Sequence, residues 1–459
     1  MRRALLALAL LAAAPGELPP GTRLGLLVVD ADGRELVAER ADERFVPASN
    51  AKLFTAAAAF TTLDTAAPDV AGGATVRLEG HDVVLAGHGD ARLSSAPDCR
   101  VDCLADLARA VAARTRVVHD VIGDDTAFPD ERWPAGMSWN NMAGRYGTAI
   151  SALTVDDDVV AVTVTPGARD GAAATVSGDG YYRVESRVVT GGARASFGAT
   201  RLPGSDLLRV VGTVPAGAPT TLSVAVDDPA HRAAWRLAAL LRAAGVRVTG
   251  RVVVRHRPLS DADDPARRGG APVARVSEPT VLARLTPPPL AEDLRATMKA
   301  SQNLHAELLL RRVGAVRGSG SVADGHAAVR ALLDRAGVAR AAAEFADGSG
   351  MSNYDRITPR AAVALLRWTQ AQPWGAAFRD TLPVGAVDGT LARRFAGTPL
   401  AGKVFAKTGS LNAANALSGF IVAASGRTLI FSALANDMAD DASATRAIDR
   451  ALVEIAARN

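Results

Sequence analysis

Strand-forming sequence stands at both ends of this 459-residue chain, and the elements between them are interrupted by a long β-rich interval. Residues 23–40 read as two strands around the turn Asp30-Ala31-Asp32-Gly33, a hairpin signal. Near the other end, VFAKTGS, ALSGFIVAAS and RTLIFSALAN read as three more strands, closed by the helix SATRAIDRALVEIAAR. A hairpin from one end and three strands from the other can share one antiparallel sheet with helices against it, which is an α+β arrangement. Residues 20–65 and 275–459 are therefore expected to form one discontinuous domain.

The interval from 66 to 275 has a different character. Runs such as HDVVLAG, DDVVAVTVTPG, TTLSVAVDD and VRVTGRVVVR predict a β-rich insertion of one or two subdomains, with two favoured by its length. The stretch HRPLSDADDPARRGGAP (256–272) is its expected exit linker. After residue 280 the pattern turns helical, through LAEDLRATMKASQNLHAELLLRRVG and two further segments.

The first 14 residues place Arg2 and Arg3 before an apolar stretch that ends on small residues, the pattern of a secretory leader. That stretch is too short to cross a bilayer, and no later one is long enough, so no transmembrane anchor is expected. Cys99 and Cys103 are the chain's two cysteines. In an oxidising compartment they would close a small ring, two structural thiols being the alternative. No histidine lies at ligand spacing from them, and no metal is expected. Net charge is +4, from arginine scattered along the whole chain, and aromatics are 4%. A nucleic-acid binder would want a basic stripe with interleaved aromatics, so that class is set aside.

Of 52 basic residues only Lys52, Lys299, Lys403 and Lys407 are lysine. An ammonium can be pushed to neutrality and act as a base, whereas a guanidinium cannot. Lys52 follows Ser49 by three positions at the start of the alanine-rich helix expected after Pro47, so the two share one helix face.

Three short motifs occur in order: Ser49-Asn50-Ala51-Lys52, Ser301-Gln302-Asn303 and Lys407-Thr408-Gly409. Read singly, Ser49 is a helix cap, Ser301 and Asn303 are turn residues and Lys407 is a strand lysine. Together they supply the parts of an acyl transfer. Ser49 is the nucleophile and Lys52 its base. Lys407 adds a second cation that lowers the pKa of Lys52 and can bind a carboxylate, while Ser301 can pass a proton to a leaving amine. Asn303 can meet a substrate amide and Thr408 a carboxylate. Gly409 admits the acyl group, and the N–H groups of Ser49 and Ser410 would hold an oxyanion.

At these residues the sequence resembles the serine D-alanyl-D-alanine carboxypeptidase/endopeptidases, the low-molecular-mass class C penicillin-binding proteins. PASNAKLFTAAAAF, DGSGMSNYDRITPR, LPVGAVDGTLARRF, AKTGSLNAANALSGF and, in the insertion, GDDTAFPDERWPAGMSWNNM are similar to that family's stretches. The resemblance implies a transpeptidase/β-lactamase-like domain, an acyl-enzyme on Ser49, peptidoglycan stem peptides as substrate, β-lactams as covalent inhibitors and no cofactor. It links Asn412, Asp124 and Phe128 to substrate binding. It also marks a departure, since Asn353 stands where the family often has an arginine tied to the stem peptide's side chain. A β-lactamase sharing the motifs, or a catalytically silent wall-binding protein, are the rival readings.

Overall fold

The structure, a computed structural model, describes residues 18–274, 279–439 and 441–459. The expected leader, and the expected boundary at 275, lie outside those residues. Both ends of the chain do meet in one five-stranded antiparallel sheet. Its order is 404–411, 414–422, 428–436, 23–29, 35–39, so the strand nearest the chain's start pairs with the one nearest its end.

Strand Arg23–Val29 is buried from Leu24 onward because both faces of the sheet are covered. Alternation divides its side chains between two cores: Leu27 and Val29 face one, Leu24, Leu26 and Val28 the other. Helix α1 (Ala51–Thr62) runs through the first core, buried at every residue from Ala51 to Phe60. Its alanines combine high helix propensity with small size, which lets neighbouring backbones pack close on all sides.

The insertion is two units. In one, strands 252–257, 121–129, 82–86, 75–79 and 283–284 form a sheet in that order, packed with helices α2 (Leu104–Arg114) and α3 (Pro229–Ala243). In the other, two three-stranded sheets face each other across Val160, Val162, Val188, Leu208 and Val210. The insertion is thus β-rich as expected, with two helices that the strand pattern did not predict. Cys99 and Cys103 form a disulfide just before α2. The stretch 256–272 is tied down, Arg257 pairing with Asp263 and Arg268 with Asp324. Among the described residues no helix is long and apolar enough to cross a membrane.

The remaining helices belong to the first domain: α4 (Leu290–Ala300), α5 (Asn303–Ala315), α6 (Val322–Arg335), α7 (Pro359–Gln370) and α8 (Gly375–Thr381) adjoin α1, and α9 (Thr445–Ala457) covers the second face. Two ion pairs, the first of them buried, fasten the insertion to α4 and α5. Arg312 grips Asp69 with both terminal guanidinium nitrogens. His305 lies between Asp293 of α4 and Asp157 of the insertion, 2.9 Å from the latter. Asp157 sits in a turn where Asp156, Asp157 and Asp158 all have positive φ, at 54°, 56° and 51°.

Burial alone would lower the His305 pKa, but Asp293 and Asp157 outweigh it and raise it to about 10. A histidine raised from about 6.5 contributes stability that is complete below pH ~6.5 and lost as pH rises through ~10. The stability difference between the protein and its His305→Gln variant should therefore be largest near pH 6 and shrink toward pH 10. Denaturant melts of both across that range measure it, and a constant gap would contradict the clamp.

Candidate active site

Ser49 lies on a single 3-10 turn, Ala48–Asn50, that leads into α1, two residues before the helix begins and not within its first turn as expected. Ala48 is held at φ +47°, a left-handed conformation unusual for a residue with a Cβ. Two glycines account for how it is held. A Cβ at Gly350 would stand 1.9 Å from the Ala48 carbonyl oxygen, and one at Gly409 would stand 2.7 Å from that of Pro47 and 3.1 Å from the Ser49 nitrogen. Besides the acyl group it was expected to admit, Gly409 makes room for the nucleophile's own turn. The Asn50 Nδ2 completes the grip by donating to the Lys407 carbonyl at 2.9 Å.

Lys52 is fully buried. Its Nζ lies 3.0 Å from Ser49 Oγ, 2.6 Å from Asn303 Oδ1 and 2.7 Å from the Ser349 carbonyl. Asn303 Oδ1 and the carbonyl can only accept. When the amine is neutral its two N–H groups go to them, and its lone pair is left facing the Ser49 hydroxyl. Burial lowers the Lys52 pKa to about 8, against the opposing pull of Asp347, Glu307 and Asp355.

The Asn303 amide is oriented from outside, its Nδ2 donating to the Tyr146 carbonyl of the insertion at 2.9 Å. Expected to meet a substrate amide, it is here engaged at both ends. Ser301 caps α4 at φ 61°, so Ser301-Gln302-Asn303 forms the corner between α4 and α5. Lys407, also fully buried, donates to Ser301 Oγ at 2.8 Å and to the Thr408 carbonyl at 2.9 Å. Burial, and then the Lys52 charge, push its pKa well below the ordinary value. Lys407 was expected to lower the pKa of Lys52; burial does that instead, and the coupling runs the other way, from the Lys52 charge to Lys407.

Strand Val404–Leu411 is a sheet edge, and its partner follows a two-residue turn, Asn412-Ala413. That makes Leu411 and Ala414 a hydrogen-bonded pair, and by alternation the Ser410 N–H points away from the ladder, out of the edge. The Thr408 hydroxyl meets that of Thr390 at 2.7 Å. Thr390 belongs to a segment pinned by Lys299, whose Nζ is 2.6 Å from Asp388 Oδ2. These groups border an open cleft of about 480 Å³ that Ser49, Ser301, Asn303, Thr408, Gly409, Ser410 and Asn412 all line.

Asp124 and Phe128 do not border it. Asp124 accepts from Arg77 at 2.9 Å and from the Thr126 hydroxyl at 2.7 Å, in the core of the insertion. Phe128 is buried with Leu304 and Leu308, so it seats α5 and touches nothing that enters the cleft. Conversely, Asn141, Tyr146, Met351 and Thr390 line the cleft and were not anticipated. Nor were the acids beneath it. Glu307 Oε1 accepts from the Gly348 and Ser349 N–H groups at 3.0 Å, and Asp347 accepts from Gly350 and Ser352 at 2.7 Å, which aims the Ser349 carbonyl at Lys52. By spacing, Asp82, His119 and Asp120 are the one group among the described residues able to hold a metal ion; they lie on the insertion and do not line the cleft.

The model of the D-Ala-D-Ala carboxypeptidase 3 (S13) family matches residues 7–459. A D-alanyl-D-alanine carboxypeptidase of Actinomadura sp. (strain R39) is 36% identical over 448 residues, covering 91% of this chain and 78% of that protein. The D-alanyl-D-alanine carboxypeptidase DacB of Haemophilus influenzae is 24% identical over 90% of this chain and 85% of its own. The crystal structure of penicillin binding protein 4 (dacB) from Haemophilus influenzae superposes with a TM-score of 0.80 at 21% identity, covering 98% of each chain.

The grip on the Ser49 turn is testable. Gly350→Ala combines a strained φ of +82° with the 1.9 Å collision, whereas Gly426→Ala has a φ of +83° and open space around it. The second should cost about 1 kcal/mol. The first should cost about 3 kcal/mol or more and, unlike the second, slow acylation of Ser49 by a reactive probe. Equal losses with normal acylation would refute the role given to Gly350.

Proposed function

That the chain belongs to the D-Ala-D-Ala carboxypeptidase 3 (S13) family is the premise from which we propose how its residues work. It is an exported serine-type D-Ala-D-Ala carboxypeptidase/endopeptidase acting on peptidoglycan stem peptides, sensitive to β-lactams. In our reading Ser49 carries the acyl group, and the observation that supports this is the buried Lys52 amine, 3.0 Å from Ser49 Oγ with two acceptor-only partners.

Neutral Lys52 takes the Ser49 proton as Oγ bonds to the carbonyl carbon between the two D-alanines. The oxyanion is received by the N–H groups of Ser49, at the head of α1, and Ser410, at the sheet edge. Such donors contribute about 3–4 kcal/mol in comparable acyl transfers. As the C–N bond breaks, Ser301, in contact with Lys407, hands its proton to the departing amine and is reprotonated with the one that Lys52 took from Ser49, which leaves Lys52 neutral again. Thr408 receives the terminal carboxylate, with Lys407 beneath it. Water then attacks the ester, giving a proton to Lys52, which passes it to Ser49 Oγ as the ester bond breaks. A β-lactam presents a strained amide and a carboxylate in the same relation, and acylates Ser49 likewise.

Incubation with a fluorescent penicillin should give a stable adduct that Ser49→Ala abolishes. Absence of labelling would sink the nucleophile assignment, and rapid turnover of the drug would favour a β-lactamase instead. The acylation rate should rise with pH through about 8, as Lys52 loses its proton. Lys52→Arg, unable to deprotonate, should lower the rate by about 10²–10⁴-fold and flatten that profile. A profile that keeps its rise in the arginine variant would place the base elsewhere.

A further inference from the structure

The Ser49 cleft is walled without formal charge. Asn141, Tyr146, Met351, Leu411 and Asn412 are among its walls, and among the described residues no carboxylate or guanidinium lines it. The Lys52 and Lys407 amines, behind Ser49 and Ser301, have no exposed surface. Arg145, beside Tyr146 in the chain, lies over the Tyr146 ring, 5.1 Å from its centroid, and within the field of Asp157. Asn353, two residues beyond Met351, holds the Gly136 carbonyl through its backbone N–H at 3.0 Å.

A substrate side chain that carries a charge into such a cleft sheds water and gains no counter-ion. One that ends in an amide exchanges water for the Asn141 and Asn412 amides, which both donate and accept. The difference is discrimination against the charged form, without any group built to attract the neutral one.

Resting on the peptidase reading above, we propose that this cleft selects stem peptides whose side chain, on the residue before D-Ala-D-Ala, is uncharged, its ionisable group capped as an amide. Asn141 is the specificity-determining residue, with Asn412, which also lines the cleft, in the same role. The substrate class is then a stem already amidated or acylated at that side chain, so the reaction that supplies this enzyme is an amide-forming one.

Three peptides ending in Lys-D-Ala-D-Ala test the proposal, with the lysine amine acetylated, free or succinylated, giving neutral, cationic and anionic side chains. D-alanine release should show kcat/KM about tenfold higher for the acetylated peptide than for either charged one. Asn141→Asp should shift the ratio of free to acetylated peptide about tenfold toward the free amine, and Asn412→Asp should shift it the same way. A charged peptide cleaved as well as the neutral one, or both aspartate variants leaving the ratio unchanged, overturns the proposal. Penicillin acylation of the same preparations separates the two levels. Normal acylation without the preference refutes the selectivity alone, whereas failure to acylate refutes the peptidase reading beneath it.

Discussion

A lysine amine with no exposed surface, whose hydrogen-bond partners include no carboxylate, is the constraint on which the site depends. Removing an ammonium from water costs several kcal/mol unless a counter-charge answers it. Lys52 instead meets a hydroxyl, an amide oxygen and a carbonyl. The counter-charge is set back by one layer. Glu307 and Asp347 are satisfied by loop N–H groups, and Glu307 also by Arg311, so they act on Lys52 through space without bonding to it. A direct ion pair would fix the proton on the lysine. Acids at one remove hold its pKa near neutrality, where a base is most useful.

That requirement explains much of the architecture. The three groups around Lys52 come from the head of α1, the α4–α5 corner and the 347–350 loop, and the second lysine comes from the sheet edge, so the site exists only when the two ends of the chain close one sheet. The insertion takes part as well. An amide side chain can present either end, and the Tyr146 carbonyl, which accepts only, settles that Asn303 turns its oxygen toward Lys52. A module about 200 residues long thus fixes the polarity of one side chain in the site, while Asp157 and Asp69 hold its position against α5.

What was legible in the sequence was whatever is local or periodic. Alternating strands at both ends, the alanine-rich helix after Ser49 and the three motifs each carry their signal within a few residues. Helix α3 was legible too, since Asp228 caps it and Pro229 opens it, but the strands around it dominated the reading. Glu307 and Ser349 were not, because an acid in a helix and a loop carbonyl acquire meaning only when the chain brings residue 52 beside them. Asp124 and Phe128 lie away from the cleft for a related reason. A resemblance transfers positions but not surroundings: Asp124 is bonded to Arg77 within the insertion, and Phe128 packs in its seam with α5.

The scarcity of lysine in this chain can now be given a physical reason, residue by residue. Lys299 makes an ion pair that an arginine could also make, and Lys403 is an exposed turn residue. Neither position demands an amine. Lys52 and Lys407 do, because each is sealed from water and the Lys52 charge bears on Lys407. Two guanidinium groups there would be two permanent buried charges with no counter-ion in contact, which the fold has no means of offsetting. Two amines can shed a proton and share what charge remains. Composition therefore pointed to the right pair only because burial, which it does not record, makes deprotonation the condition for folding as well as for catalysis.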